Sequence, residues 1–189
     1  NGSLNTFEGC TAISDIYGNL LFYTDGITVY DSTHGIMPNG TGLFGNPSSV
    51  QSGVIVPFPD HPFKYYIFTT DSPSPTNHKG FRYSIVDLSL NGGLGDVDTT
   101  NKNILFFTPT CEKITAVADA TNEGFWVAGY KGGTDSIFTY HLTSSGIGPQ
   151  VFAGQGSLVT NSTSTFDRQC GQMKFSPNGR LLGIVQGRI

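Results

Sequence analysis

The sequence is poor in charged side chains. Asp, Glu, Lys and Arg make up 13% of its 189 residues, about half of the roughly 25% that is typical of globular domains. The formal net charge is −4, and nucleic-acid binding calls for a basic stripe, so we expect no nucleic-acid partner. The sequence also lacks any run of about 18 apolar residues, so no segment is predicted to span a bilayer.

Helix-forming patterns are missing as well. No stretch repeats apolar residues at the spacing of a helix face, so helix should be nearly absent. No secretory signal is visible, and the chain begins at Asn1 rather than Met, so we expect the natural start to lie outside this sequence. The 25 glycines, the abundant Ser, Thr and Asn, and the scarcity of Lys favour an extracellular or cell-surface protein.

The N-terminal region contains the pattern around which the chain is organised. Thr11–Asp15, Leu20–Asp25 and Ile27–Tyr30 are short runs of β-branched, aromatic and apolar residues. Turn residues separate them, and Gly18 and Asn19 accept positive φ at little cost. These runs predict an antiparallel meander. A few strands alone are marginal in water, so the meander needs further sheets beside it.

The meander recurs at intervals of about 40 to 60 residues, a period typical of β-propeller blades or of blades with loop insertions. Equivalent positions in the four copies are Ala12, Val54, Ala116 and Lys174. The predicted fold class is therefore all-β: a β-propeller of four-stranded antiparallel blades, present as an incomplete ring of about three and a half blades. An all-β sandwich of hairpins is the alternative.

We assign residues 1–189 to one partial propeller domain, with repeats at about 8–50, 51–110 and 111–160 and the start of a fourth at about 170–189. A propeller ring needs roughly four to eight blades, so we expect this chain to be part of a larger propeller. The innermost strands should lie side by side around one axis, and they are Thr11–Asp15, Val54–Pro57, Thr115–Ala118 and Met173–Phe175.

Several long motifs carry a family resemblance. Residues 2–57 contain EGCTAISD and GNLLFYTDG, and YYIFTTD, RYSIVDLSLNGGLGDV, EKITAVADA and KFSPNGR follow in order. Together they resemble the N-terminal propeller region of large surface proteins of the Bacteroidetes phylum. The closing FSPNGR also resembles a turn of TolB-like and WD-repeat propellers.

The resemblance implies an exported protein at the cell surface or secreted. Such proteins often use the type IX secretion route and carry polycystic-kidney-disease-type (PKD) domains and a gliding-motility-associated region downstream. It implies neither an enzymatic activity nor a cofactor. The implied partners are a cell-envelope or surface protein, a surface glycan, and the remaining blades and downstream domains of the same polypeptide.

Two classes of function stay open. The first is a non-catalytic extracellular scaffold for adhesion or protein–protein interaction, binding through three variable loops, Asp71–Gly80, Asn91–Asn103 and Gly154–Gln169. The second is a glycan-binding, or glycan- or peptide-processing, propeller with its site at the mouth of the central channel. We predict the first, and therefore no catalytic residues.

Few residues are candidates for chemistry. Glu8 and Glu112 enter the innermost strands of the first and third copies, where they could line the channel mouth as ligand-binding or catalytic carboxylates, or could bond the neighbouring backbone. Trp126 is a further ligand-binding candidate, with a core position as the alternative. The four histidines lack metal-ligand spacing, so no metal is expected. Residues 40–45 match GxGxxG but lack the flanking strand and helix of a dinucleotide site, so a glycine-rich turn is predicted.

Cysteines and hydroxyl groups suggest covalent modification. Cys111 and Cys170 precede the innermost strands of adjacent copies, so we predict a disulfide between them and a buried free thiol at Cys10. The sequence Asp-Ser-Ile at Ser136 resembles the O-glycan acceptor of exported Bacteroidetes proteins. Thr99 and Ser32 are looser matches. An unmodified turn is the alternative at each.

Overall fold

The computed structural model of the protein describes residues 2–72, 79–155 and 170–186. In these ranges the chain is all-β: its strands form four antiparallel sheets, none closed on itself, and the helical elements are two short 3₁₀ turns. Within the same ranges no helix has the length and apolar character needed to cross a membrane.

Each sheet is built from consecutive strands. The first contains β1 (Thr11–Ser14), β2 (Leu20–Thr24) and β3 (Val29–Asp31). The second contains β4 (Gly53–Pro57), β5 (Lys64–Thr69), β6 (Phe81–Asp87), β7 (Asp96–Val97) and β8 (Ile104–Phe107), with 3₁₀ turns at Asn91–Gly93 and Thr99–Asn101. The third contains β9 (Thr110–Ala118), β10 (Phe125–Lys131), β11 (Ser136–Thr143), β12 (Gly146–Ile147) and β13 (Val151–Gln155). The fourth contains β14 (Gly171–Phe175) and β15 (Leu182–Gln186).

The outer position of the sheets departs from the predicted four continuous strands. In the second sheet β7 and β8 both pair with β6, and in the third β12 and β13 both pair with β11. Two short strands thus share the fourth position. The described part of the first sheet has three strands, so the prediction of four was wrong there.

A loop over residues 35–45 takes the place of that fourth strand. Met37 N donates to Val29 O at 2.9 Å, and Leu43 N donates to Ile27 O at 2.9 Å. Met37 and Leu43 bury their side chains in the core. The GxGxxG match at residues 40–45 lies in this loop with no helix after it, so it is a turn, as predicted.

The first strands of successive sheets lie next to one another: β1 contacts β4, β4 contacts β9, and β9 contacts β14. The predicted order of neighbours is therefore present, while their arrangement around one axis stays a prediction. The core fills the spaces between successive sheets. One cluster lies between the first and second sheets, an aromatic one between the second and third, and a smaller one between the third and fourth.

Aspartates hold the hairpin turns that join first to second strands. The Asp15 carboxylate accepts the N–H groups of Tyr17 and Asn19 at 2.9 and 2.8 Å, and Gly18 takes a φ of 87°. Asp119 plays the same part in the third sheet, accepting from Thr121 N at 3.0 Å. This side-chain bonding is why Asp followed by Gly or Asn punctuates the strands.

Candidate functional site

Two groups of polar side chains are candidates for function. The first, which we name the polar seam, joins the inner strands of the sheets and consists of Gln51, Glu112 and Lys113. The second, the Trp126 cleft, lies between the third and fourth sheets.

A β-bulge in β9 creates the polar seam. Thr110 pairs with Lys131 and Ile114 with Gly129, so three residues of β9 face one of β10. Bulges re-aim side chains, and here Cys111, Glu112 and Lys113 are all buried. Cys111 was predicted to precede this strand. That prediction was wrong, because β9 already begins at Thr110.

Glu112 bonds across to the loop that precedes the second sheet. Its side chain is buried, and its carboxylate accepts the Val50 N–H at 3.1 Å. Burial raises the pKa of Glu112 to about 7, and the negative charge of Glu8 acts in the same direction. Glu8 itself is exposed, whereas Glu112 is buried.

Gln51 is the residue that sequence reasoning missed. Its Oε1 accepts the N–H groups of Ile114 at 3.2 Å and Met173 at 2.8 Å, and its Nε2 donates to Met173 O at 3.2 Å. One side chain thereby joins the first strands of the third and fourth sheets to the segment that enters the second. No sequence pattern marks this role, since the partners are backbone groups 63 and 122 positions away.

Lys113 completes the seam. Its Nζ donates to the Cys170 carbonyl at 2.8 Å and lies 5.7 Å from the centroid of the Tyr130 ring. Burial lowers the pKa of this amine. Throughout the described ranges, no buried side-chain nitrogen or oxygen lacks a hydrogen-bond partner. The buried polar groups of the seam therefore all form hydrogen bonds, and these bonds hold the sheets together.

The cysteines differ from the prediction. All three are free thiols, so the predicted Cys111–Cys170 disulfide is not formed in this structure. Cys111 is buried, and that burial raises the pKa of its thiol to about 12. Cys10 is exposed, so the buried thiol predicted there was wrong. The preceding residue, Gly9, packs against the backbone of residues 49–52, and alternation along an extended chain turns Cys10 outward.

The Trp126 cleft has a volume of about 970 Å³. Val117 and Trp126 line one wall, and the Pro177–Arg180 turn lines the other. Trp126 is half-buried and stacks on the His141 imidazole, with ring centroids 4.5 Å apart and planes 15° from parallel.

Asp119 fixes the stacked pair. His141 Nε2 donates to Asp119 Oδ2 at 2.9 Å, and this bond lowers the pKa of Asp119 to about 2. The order Trp126, His141, Asp119 follows from strand register, because Trp126 lies opposite His141 in the β10–β11 pair. Of these three residues, Trp126 alone was predicted from the sequence. The structure places it in a cleft whose lining includes neither Glu8 nor the residues of the polar seam.

The three hydroxyl sites differ in exposure. Thr99 is exposed in the second 3₁₀ turn, and Ser32 is exposed in the turn after β3. Ser136 is half-buried at the start of β11, where its Oγ donates to Asp135 Oδ1 at 3.3 Å. The looser sequence matches are therefore the more accessible ones.

The three variable loops are described in part. In Asp71–Gly80, the buried Asp71 accepts from Lys79 N at 2.8 Å, and residues 73–78 lie outside the described residues. Asn91–Asn103 carries both 3₁₀ turns and β7. Of Gly154–Gln169, residues 156–169 lie outside the described ranges. Binding at these loops stays a prediction.

No group of three or more His, Cys, Asp or Glu residues in residues 2–72, 79–155 and 170–186 is placed to hold a metal ion. Comparisons of the chain with protein-family models, curated proteins and solved structures found no match.

Proposed function

We propose that this chain is part of a β-propeller that serves as a non-catalytic extracellular scaffold for adhesion or protein–protein interaction. The observation that carries the proposal is the polar seam. Its ionisable and amide side chains are the ones most suited to binding or catalysis at the central axis of a propeller. They are instead bonded to backbone groups in, or just before, the first strands of neighbouring sheets.

The order of the sheets supports the propeller part of the proposal. Each first strand contacts the first strand of the next sheet, which is the neighbour relation that successive blades have. The two short strands at the outer position of the second and third sheets fit blades whose fourth strand is interrupted.

The use of Glu112 supports the non-catalytic part. A general acid or base has to reach its substrate within hydrogen-bond distance. Glu112 is 2% exposed and accepts the Val50 N–H, whereas Glu8 is exposed. A buried carboxylate that bonds a backbone amide holds structure in place. The family resemblance supports the surface location and a partner from the cell envelope.

The test compares attachment with turnover in the whole protein displayed on cells. Replacing residues 73–78 with Gly and Ser should weaken surface attachment. Glu112→Gln should leave attachment unchanged, because the amide oxygen of Gln still accepts from Val50 N. Glu8→Gln is the control variant at an exposed carboxylate, compared with the buried Glu112. Unchanged attachment in the loop variant, together with loss of polysaccharide or peptide hydrolysis in Glu112→Gln, would show that the protein is an enzyme.

A further inference from the structure

We propose that the Trp126 cleft binds a neutral saccharide, with the indole of Trp126 as the stacking platform. The inference stands apart from the scaffold function, because it concerns the cleft between the third and fourth sheets rather than the variable loops or the polar seam.

The platform is held in position before any ligand arrives. His141 stacks on one face of the indole, and Asp119 holds His141 through the 2.9 Å bond. Asp119 is itself held by Thr121, whose N–H and Oγ1 both donate to it. A pre-ordered aromatic side chain binds at a lower entropic cost than a mobile one.

The space beside the indole suits a small ligand. At about 970 Å³ the cleft lies at the upper end of the size range of small-molecule sites, roughly 300 to 1,000 Å³. The two walls approach each other where a Cβ built on Gly179 would lie 3.8 Å from a Val117 methyl group. Trp126 lines the same cleft and is half-buried, so part of its indole is accessible to a ligand.

The polar groups around the indole favour a sugar. Asn122, Asn178 and Thr139 line the cleft and offer amide and hydroxyl groups to ligand hydroxyls. The Asn178 side chain is oriented by accepting from Ser176 Oγ at 2.8 Å and Arg180 N at 3.2 Å. An apolar ring face bordered by fixed polar groups matches the C–H face and equatorial hydroxyls of a pyranose.

Charge decides between neutral and anionic ligands. The lining carries one carboxylate, Asp119, and one guanidinium, Arg180, so the two formal charges cancel. A phosphate or sulfate ester would call for several cations around it. The cleft therefore fits a neutral saccharide better than a nucleotide, which could also stack on the indole.

The experiment uses the fact that Trp126 is the sole tryptophan of the chain. Intrinsic fluorescence of the 189-residue protein is recorded during titration with neutral gluco-, manno-, xylo- and N-acetylglucosamine oligosaccharides to about 1 mM. We expect a saturable change with at least one of them. Calorimetry with that oligosaccharide should show binding weakened more than about tenfold in Trp126→Ala and less than about threefold in Trp126→Phe, which keeps a stacking ring.

Controls separate the cleft from the general surface. Tyr17→Ala removes an aromatic side chain that is 84% exposed in another turn, and it should leave binding unchanged. Arg180→Ala should weaken binding of a neutral sugar by only about threefold, with little dependence on salt. Far-UV circular dichroism and urea unfolding check that each variant is folded.

Four results would overturn the proposal. Two concern fluorescence: acrylamide fails to quench Trp126, or none of the oligosaccharides changes the Trp126 emission. Two concern affinity: Trp126→Ala binds the oligosaccharide as tightly as the original protein does, or a nucleoside monophosphate binds more tightly than any oligosaccharide and in a salt-dependent way. Attachment of cells is read separately, so failure of sugar binding and failure of the scaffold function remain distinct outcomes.

Discussion

The junction between the second and third sheets differs from the junction between the third and fourth. In the first, aromatic rings fill the space from inner to outer strands. Phe81 contacts Phe106 and Tyr140, and the ring centroids of Phe106 and Tyr140 are 4.1 Å apart. In the second, a smaller cluster packs against β14 and β15, the two described strands of the fourth sheet, and its buried members are Cys111, Ala128, Tyr130, Ile137 and Met173. The Trp126 cleft lies beside this cluster, so we call the two junctions closed and open.

Size complementarity explains the closed junction. Gly129 of β10 faces Phe81, and a Cβ at Gly129 would lie 2.9 Å from two atoms of that ring. The space that a side chain would occupy at Gly129 is therefore filled by the large Phe81 ring of the neighbouring sheet. The described part of the fourth sheet consists of β14 and β15, and no such ring crosses the outer part of that junction in the described residues.

Removing a ring from the closed junction should have the largest effect. Phe81 is fully buried, so Phe81→Ala should lower the free energy of unfolding by about 3–5 kcal/mol. Phe152, which is 54% exposed on β13 and contacts Phe138, is the matched control, and Phe152→Ala should cost less than about 1 kcal/mol. Urea unfolding measures both. Equal losses would mean that Phe81 is not tightly packed in the closed junction.

Glu112 should make stability fall as the pH rises. Its folded pKa of about 7 lies above the ordinary value of 4.5, so the folded protein holds a proton that the unfolded chain releases between these values. Its contribution is lost over pH 4.5 to 7, by up to about 3 kcal/mol.

Glu112→Gln keeps an acceptor for Val50 N and removes the titration. The difference in unfolding free energy between the two proteins should therefore grow from pH 5 to pH 7.5, in favour of the variant. All other ionisable groups are the same in both proteins, so their contributions cancel in the difference. A difference that is constant with pH would contradict the buried, neutral carboxyl.

Substitution of Gln51 tests the polar seam at the point where this side chain joins three sheets. Gln51→Ala leaves two backbone N–H groups without their acceptor, and we expect a loss of about 2 kcal/mol. Gln172, which is exposed on β14, is the matched control and should change stability by less than about 0.5 kcal/mol. Hydrogen exchange at Met173 N should speed up in Gln51→Ala alone. An unchanged exchange rate at Met173 N would show that Gln51 does not hold this amide.

Asp119 should give the smallest effect, confined to the open junction. Its folded pKa of about 2 lies below the ordinary 3.8. Its contribution is therefore complete above about pH 4 and is lost as the pH falls towards 2. Asp119→Asn should release His141 and raise acrylamide quenching of Trp126 at pH 7, towards the level that the original protein reaches at low pH. Identical quenching of the two proteins at pH 7 would mean that the stack does not depend on Asp119.

Strand positions were largely predictable from the sequence. The predicted Thr11–Asp15, Leu20–Asp25 and Val54–Pro57 each differ by one residue from β1, β2 and β4. Apolar and β-branched runs bounded by Gly, Asn and Asp carry this information locally. The start of β9 did not follow, because Thr110–Lys113 is a polar run that pairs through a bulge.

The candidate sites were predictable only in part. Glu8 and Glu112 were singled out by their matching positions in two repeats, but that pattern does not predict that Glu112 is buried. The Trp126, His141 and Asp119 group depends on the register between β10 and β11 and on the Asp119 turn, which residue types do not specify. The role of Gln51 depends on backbone groups of distant strands, so no local pattern could reveal it.

The interrupted outer position of the sheets has a consequence for self-association. A long, flat outer strand exposes a row of unpaired backbone groups that can pair with another molecule and start aggregation. Here that position holds a loop in the first sheet and two short strands each in the second and third. Each interruption breaks the row of available donors and acceptors after a few residues. These interruptions limit edge-to-edge pairing in a sequence that has few charged side chains to prevent it.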